Sequence, residues 1–321
     1  MSGGALESDL ARSHEAALET RARIRRWVRE TPLIEAAPGL LLKLETLQRT
    51  GSFKVRGAAS ALTAGHLAGA RSVIAASTGN HGLAVAHVAA GLGMSCRVFV
   101  PSSASGFKLA RLRAAGVELV EVAGDPLRAE LAAREAAASD GALFVSPYND
   151  PLVVLGQASV GLELTEQLGE EPQALFVAVG GGGLISGISL AVRAHWSGTR
   201  IVGCVPAASP AMADAVAAGG RAVASRLEDT LSDATAGGIE EGSITLAICA
   251  ALVDDWLEIG EEEIAAAMRI ALLDHHVAAE GAAGLALAGA LREGGAGGGP
   301  RVAVLGGANA GATALEAVLH V

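Results

Sequence analysis

Short runs of apolar, often β-branched residues alternate with Ala-rich helical stretches along almost the whole chain, and few folds accept that alternation. The strand-like runs are residues 41–44, 72–76, 96–100, 117–122, 142–145, 175–179, 201–205 and 302–305. Helical patterns fill the intervals, at 82–92, 109–115, 126–138, 156–168 and 261–275. Strands that are apolar on both faces meet no water on either side, so they predict parallel sheets covered by helices above and below. The expected class is α/β. With 321 residues, the chain forms one large domain or two interlocked ones. Aromatic residues are only 3% of it, so the core has to be built from Ala, Val, Leu and Ile.

A net charge of -10 speaks against a nucleic-acid partner, which needs a basic face. No apolar run reaches the length of a membrane span, and the first residues read as a polar helix rather than a signal peptide. Cys96, Cys204 and Cys249 are widely separated and sit in apolar surroundings, which predicts reduced, buried thiols in a cytoplasmic protein. The stretch 146–151 is a crossing point, bracketed by Pro147 and Pro151, which favour extended backbone before them. Residues 293–300 read as a flexible turn, and no separate regulatory domain is expected after Leu305.

Four segments carry chemistry. In Ser52-Phe53-Lys54-Val55-Arg56-Gly57-Ala58, Ser52 reads as the cap of a helix with Lys54 in its first turn. A lysine there faces the positive end of the helix dipole, which disfavours the ammonium and favours a nucleophilic or Schiff-base-forming amine. In Ser77-Thr78-Gly79-Asn80-His81-Gly82, between a strand and a helix, free backbone N–H groups and short polar side chains suit a carboxylate. Val179-Gly180-Gly181-Gly182-Gly183-Leu184 lets the backbone wrap closely around a phosphate at a helix start. It lacks the Lys-Ser/Thr ending of a nucleotide-binding loop. Leu305-Gly306-Gly307-Ala308-Asn309 ends the last strand in a turn that a flat ring can approach.

These segments, in this order, resemble the fold-type II (tryptophan synthase β-like) pyridoxal-phosphate enzymes. Within them they look most like the serine/threonine dehydratases, close to the hydroxyectoine-utilisation branch. The resemblance runs from Thr31-Pro32-Leu33 to Asn309 and includes Thr230-Leu231-Ser232-Asp233-Ala234 and Glu280-Gly281-Ala282-Ala283. It implies two three-layer domains with mostly parallel sheets: a large one of residues 1–39 plus 147–321, and a small one of 40–146. It implies a homodimeric lyase that removes water and ammonia from a β-hydroxy amino acid such as threonine or serine. Lys54 would bind pyridoxal 5'-phosphate and later take the Cα proton, with Phe53 beside the ring and Asn80 on its 3-hydroxyl. Gly180, Gly181, Gly182, Gly183 and Leu184 would hold the phosphate, and Glu280 would lie near the pyridine ring. Ser77, Thr78, Gly79, Asn80 and His81 would surround the substrate carboxylate, with Gln157 on the other side.

Departures from the family pattern sharpen the expectation. Gly306 stands where many relatives carry a Ser facing the pyridine nitrogen. Thr78 stands where serine racemases carry the Ser that works on the opposite face of the substrate, and its bulk leans towards elimination. The usual divalent-cation position reads Cys204-Val205-Pro206 and then Ala211, so no metal is expected. The competing readings are a racemase or 3-hydroxyaspartate-type dehydratase of the same fold, and a non-catalytic cofactor-binding sensor.

Overall fold

Ten strands and twelve helices follow one another in the computed structural model, which describes residues 3–319 apart from 105, 125 and 295–298. The strands are β1 (Leu33–Ala37), β2 (Leu40–Leu44), β3 (Ser72–Ala76), β4 (Ser95–Pro101) and β5 (Glu118–Val122). They continue with β6 (Leu143–Phe144), β7 (Ala174–Ala178), β8 (Arg200–Pro206), β9 (Asp255–Ile259) and β10 (Arg301–Leu305). The helices are α1 (Gly3–Ile24), α2 (Lys54–Leu67), α3 (Asn80–Leu92), α4 (Gly106–Ala114), α5 (Pro126–Asp140) and α6 (Pro151–Leu168). After them come α7 (Gly183–Arg193), α8 (Ala211–Ala217), α9 (Ile244–Leu252), α10 (Glu261–Leu273), α11 (Gly281–Arg292) and α12 (Ala312–Leu319).

Two sheets result, in the strand orders β1-β2-β10-β7-β8-β9 and β5-β4-β3-β6. Every pairing is parallel except β1 with β2, where Pro38 and Gly39 close a hairpin and Gly39 takes φ 72°. A strand order that departs from chain order needs crossovers, and the intervening helices supply them. The α/β expectation holds. Each of the eight expected strand runs corresponds to a strand; β1 and β9 were not foreseen. β2, at residues 40–44, hydrogen-bonds β10 in the larger sheet, so the chain passes to the smaller sheet only after it. Part of the expected turn at 293–300 lies outside the described residues.

The cores are aliphatic. Phe176 and Leu285 sit in a cluster on one side of the larger sheet, and Ile185, Ile188 and Leu164 in a cluster on the other. The smaller sheet is covered by α2 and α3 through Val55, Leu62 and Val85, and by α5 through Ala133 and Ala137. Cys204 and Cys249 are buried free thiols, pushed up to about 12 by burial, while Cys96 is half-buried. Among the described residues no helix is long and apolar enough to cross a membrane.

A buried charge cluster ties α2 to α6. Arg56, with no exposed surface, donates to both oxygens of Glu45 at 2.7–2.8 Å and to both oxygens of Glu163 at 2.6–2.8 Å. The Lys43 amine meets Glu163 at 2.6 Å and the Thr31 carbonyl at 2.7 Å. Two cations against two carboxylates leave the cluster neutral, as burial demands.

Candidate active site

The C-terminal ends of β3, β7 and β10 all open on one cavity of about 340 Å³ between the two sheets. Parallel strands direct their following loops to the same edge, so three turns far apart in sequence converge there. β3 leads into residues 77–81, β7 into the glycine turn, and β10 into Gly306.

Lys54 is the first residue of α2. Its helix is not capped by Ser52: Phe53 is the N-cap residue and no side chain makes the cap bond. Ser52 instead takes an extended bridge with Gly307, and its buried hydroxyl has no partner. The Lys54 amine donates to the Pro147 carbonyl at 2.9 Å and lies 5.2 Å from the centre of the Phe53 ring. Burial, more than the helix dipole invoked from sequence, lowers this amine to about 8, partly opposed by Glu280.

The glycine turn is a cradle that side chains would fill. A Cβ on Gly181 would lie 2.3 Å from the Tyr148 ring, and one on Gly180 would lie 2.9 Å from the Thr235 backbone. Gly182 takes φ 80° and caps α7 with no side-chain bond, which leaves the first N–H groups of that helix for an anion. The Tyr148 hydroxyl accepts from the Glu240 N–H at 3.2 Å, holding the ring across the turn.

Opposite, Ser77 accepts from the Gly79 N–H at 3.1 Å, and Thr78 lines the wall. Asn80 donates to Glu280 at 2.7 Å and accepts from the Asn309 side chain at 2.6 Å. Burial raises Glu280 to about 7, while the donors Asn80 and the Asn309 backbone pull the other way. His81 is buried and lowered to about 3, chiefly by desolvation and then by the nearby Lys54. It is therefore neutral, and it donates Nε2–H to the Val145 carbonyl at 2.9 Å.

Phe53, Lys54, residues 77–81, Gly180 to Leu184, Glu280 and Gly306, all singled out from sequence, line the one cavity. Gln157 does not. It is buried on α6 against Gly57 of α2, with neither side-chain polar atom partnered, and stands outside the cavity wall. Sequence reasoning gave no individual role to Tyr148, Arg111, Asn309 or the Lys108–Asp233 ion pair, which also border the cavity, although Tyr148, Asn309 and Asp233 lie in segments it singled out. The chain's only tyrosine, between Pro147 and Pro151 at the crossing point, was a usable signal for the first. A desolvated amine that shares one cavity with a glycine cradle, an amide and a carboxyl fits an aldehyde that carries a phosphate.

A family model described as pyridoxal-phosphate dependent enzyme matches residues 24–306. The chain is 39% identical over 282 residues to the L-threonine ammonia-lyase of Geobacter sulfurreducens, covering 85% of this chain and 69% of that protein. The solved T.th. threonine deaminase is 32% identical with a TM-score of 0.85, over 92% of this chain and 98% of that one. The solved maize serine racemase is 26% identical with a TM-score of 0.87, over 96% of each chain.

Proposed function

Because the chain belongs to the pyridoxal-phosphate-dependent enzymes, we propose that it removes water from threonine or serine, giving a 2-keto acid and ammonia. It is a lyase, and the sensor reading falls away. Bound pyridoxal phosphate supplies an electron sink for the charge that develops at Cα. We assign Lys54 to hold it through the amine and Gly180, Gly181, Gly182 and Gly183, with Leu184, to hold its phosphate. Phe53 and Gly306 would border its ring, Asn80 would donate to its 3-hydroxyl, and Glu280 would lie beside it.

The protein's own work is to position and to move protons. Ser77, Thr78, Gly79, Asn80 and His81 bind the substrate carboxylate through hydroxyl, amide and backbone donors. His81, being neutral, adds no charge that would hold the carboxylate too tightly. Lys54 takes the Cα proton at Nζ, which requires a neutral amine, and desolvation enlarges that neutral share by lowering the amine to about 8. Thr78 is the hydroxyl available on the wall to hand a proton to the departing β-oxygen. The released enamine then hydrolyses in water. The observation that carries this reading is the desolvated Lys54 amine in one cavity with the glycine cradle. A homodimer and a cytoplasmic location complete the reading; the family resemblance supports the first, and the buried free thiols Cys204 and Cys249 support the second.

The serine racemase likeness favours one rival, inversion at Cα. Purified holoenzyme given L-threonine, L-serine and 3-hydroxyaspartate separates the two. Elimination gives equal amounts of ammonia and keto acid from threonine or serine, whereas loss of optical rotation without ammonia would replace it with racemisation.

The Lys54 amine makes a second prediction. Coenzyme-free protein should capture added pyridoxal phosphate at a rate that climbs about tenfold per pH unit below the midpoint and levels off above it, because only the neutral amine attacks. The midpoint should fall near pH 8. Stopped-flow absorbance reads the rate, and a midpoint in the ordinary lysine range would contradict the burial argument.

A further inference from the structure

Four side chains on the cavity wall form one hydrogen-bonded chain, from α4 beside the smaller sheet to Glu280. Arg111, half-buried on α4, donates Nη2–H to Asn309 Oδ1 at 2.7 Å. Asn309 donates Nδ2–H to Asn80 Oδ1 at 2.6 Å and to the Thr50 carbonyl at 2.8 Å. Asn80 donates Nδ2–H to Glu280 Oε1 at 2.7 Å, and the Asn309 backbone N–H closes on Glu280 Oε2 at 3.1 Å. The fit is close: a Cβ on Gly51 would meet the Asn309 side chain at 2.7 Å, and one on Gly307 would meet Glu280 at 2.4 Å.

The two ends of this chain decide its direction. A guanidinium can only donate and an ionised carboxylate can only accept, whereas an amide can be turned either way. With Arg111 at one end, Asn309 has to show its oxygen there and its nitrogen inward. Asn80 then has to show its oxygen to Asn309 and its nitrogen to Glu280. The second Asn80 N–H is left over as a donor to the cavity. The Thr50 carbonyl demands the same orientation of Asn309, so Arg111 and Thr50 act together. The arginine also brings a positive charge to a chain that ends on a buried carboxyl, and Arg111 belongs to the other sheet layer than Asn309 and Glu280.

We propose that Arg111 is a positioning residue: acting through Asn309, it fixes the amide orientation of Asn80, so that Asn80 turns one N–H to Glu280 and offers the coenzyme ring the other. This rests on the cofactor reading above. Its failure is distinguishable from failure of that reading, because wild-type protein that gained no visible absorbance with pyridoxal phosphate would end both.

The test uses holoenzyme of wild type, Arg111→Met, Arg111→Lys and Asn309→Asp, with the pH titration of the visible band as the readout. In Arg111→Met the midpoint should rise by about half a pH unit, since a favourable positive charge is gone. Turnover of threonine should fall about tenfold with KM changed less than about twofold, the pattern of an interaction that matters in the transition state. Arg111→Lys, which restores a donor-only cation, should return most of the lost turnover. Asn309→Asp keeps an acceptor for Arg111 but cannot donate to Asn80, so its midpoint should move the same way even if Arg111→Met folds poorly. Adding Arg111→Met to Asn309→Asp should bring little further loss, because the two act in one chain. An unmoved midpoint in Asn309→Asp, wild-type behaviour in Arg111→Met, or fully additive losses in the double variant would each overturn the proposal.

Discussion

Replacing Lys54 with Ala should abolish turnover, by roughly 10³-fold or more, while making the coenzyme-free protein more stable rather than less. The two effects share one cause. The half-buried amine on the cavity wall is desolvated and its ammonium form is disfavoured, which lowers it to about 8 from an ordinary 10.5. A base whose folded value is depressed lets the unfolded chain bind the proton more tightly, so folding free energy is lost as pH falls from the ordinary value through the folded one. At pH 7 the penalty is fully present. Lys54→Met removes the charge and keeps most of the volume, so it should gain on the order of 1–2 kcal/mol after the lost bond to the Pro147 carbonyl is counted. Urea unfolding of the coenzyme-free proteins across pH 7 to 11 reads both parts. Wild type should gain stability between pH 8 and 10.5, and the variant should show no such rise from this site. A variant that lost activity and stability together would mean that Lys54 is a packing residue.

The second large effect belongs to Arg56, two residues along the same helix. Arg56→Met fills the space but leaves Glu45 and Glu163 facing each other with only Lys43 to balance them. Uncompensated buried charge is among the costliest lesions a fold can carry, and a loss of about 3–5 kcal/mol is expected. Denaturant midpoints at constant slope measure it. A change below about 1 kcal/mol would show that water or a neighbouring group can serve the carboxylates, and that the cluster does not clamp α2 to α6. The clamp has a functional side, since it holds the first turn of α2 that carries Lys54.

The larger features were legible because they leave local marks. Central strands such as β7, and β10 after its first residue Arg301, are apolar, since both faces are covered. β1 and β9 left no such mark: both lie at sheet edges, where part-exposed residues interrupt the apolar run. The glycine turn and the segment from Ser77 to His81 were readable because close backbone approach and helix starts demand particular residues. Ser52 misled for the opposite reason. A serine ahead of a helix normally caps it, but here the segment is drawn into a bridge with Gly307, 255 positions away in sequence. Gln157 misled because helical spacing says which residues share a face and not which neighbour covers that face. Arg111 and Asn309, 198 residues apart in sequence, meet only through the tertiary fold, and nothing in the composition around either one announces it.

The lone tyrosine gives the molecule a built-in reporter. Its phenol lies across the second glycine of the turn and its hydroxyl is tied to the Glu240 backbone. With a single tyrosine in 321 residues, biosynthetic labelling with fluorotyrosine would give one fluorine resonance, free of overlap and without any engineered probe. That signal would come from the edge of the proposed phosphate seat, so it could follow filling and emptying of the glycine turn in solution while the reaction runs.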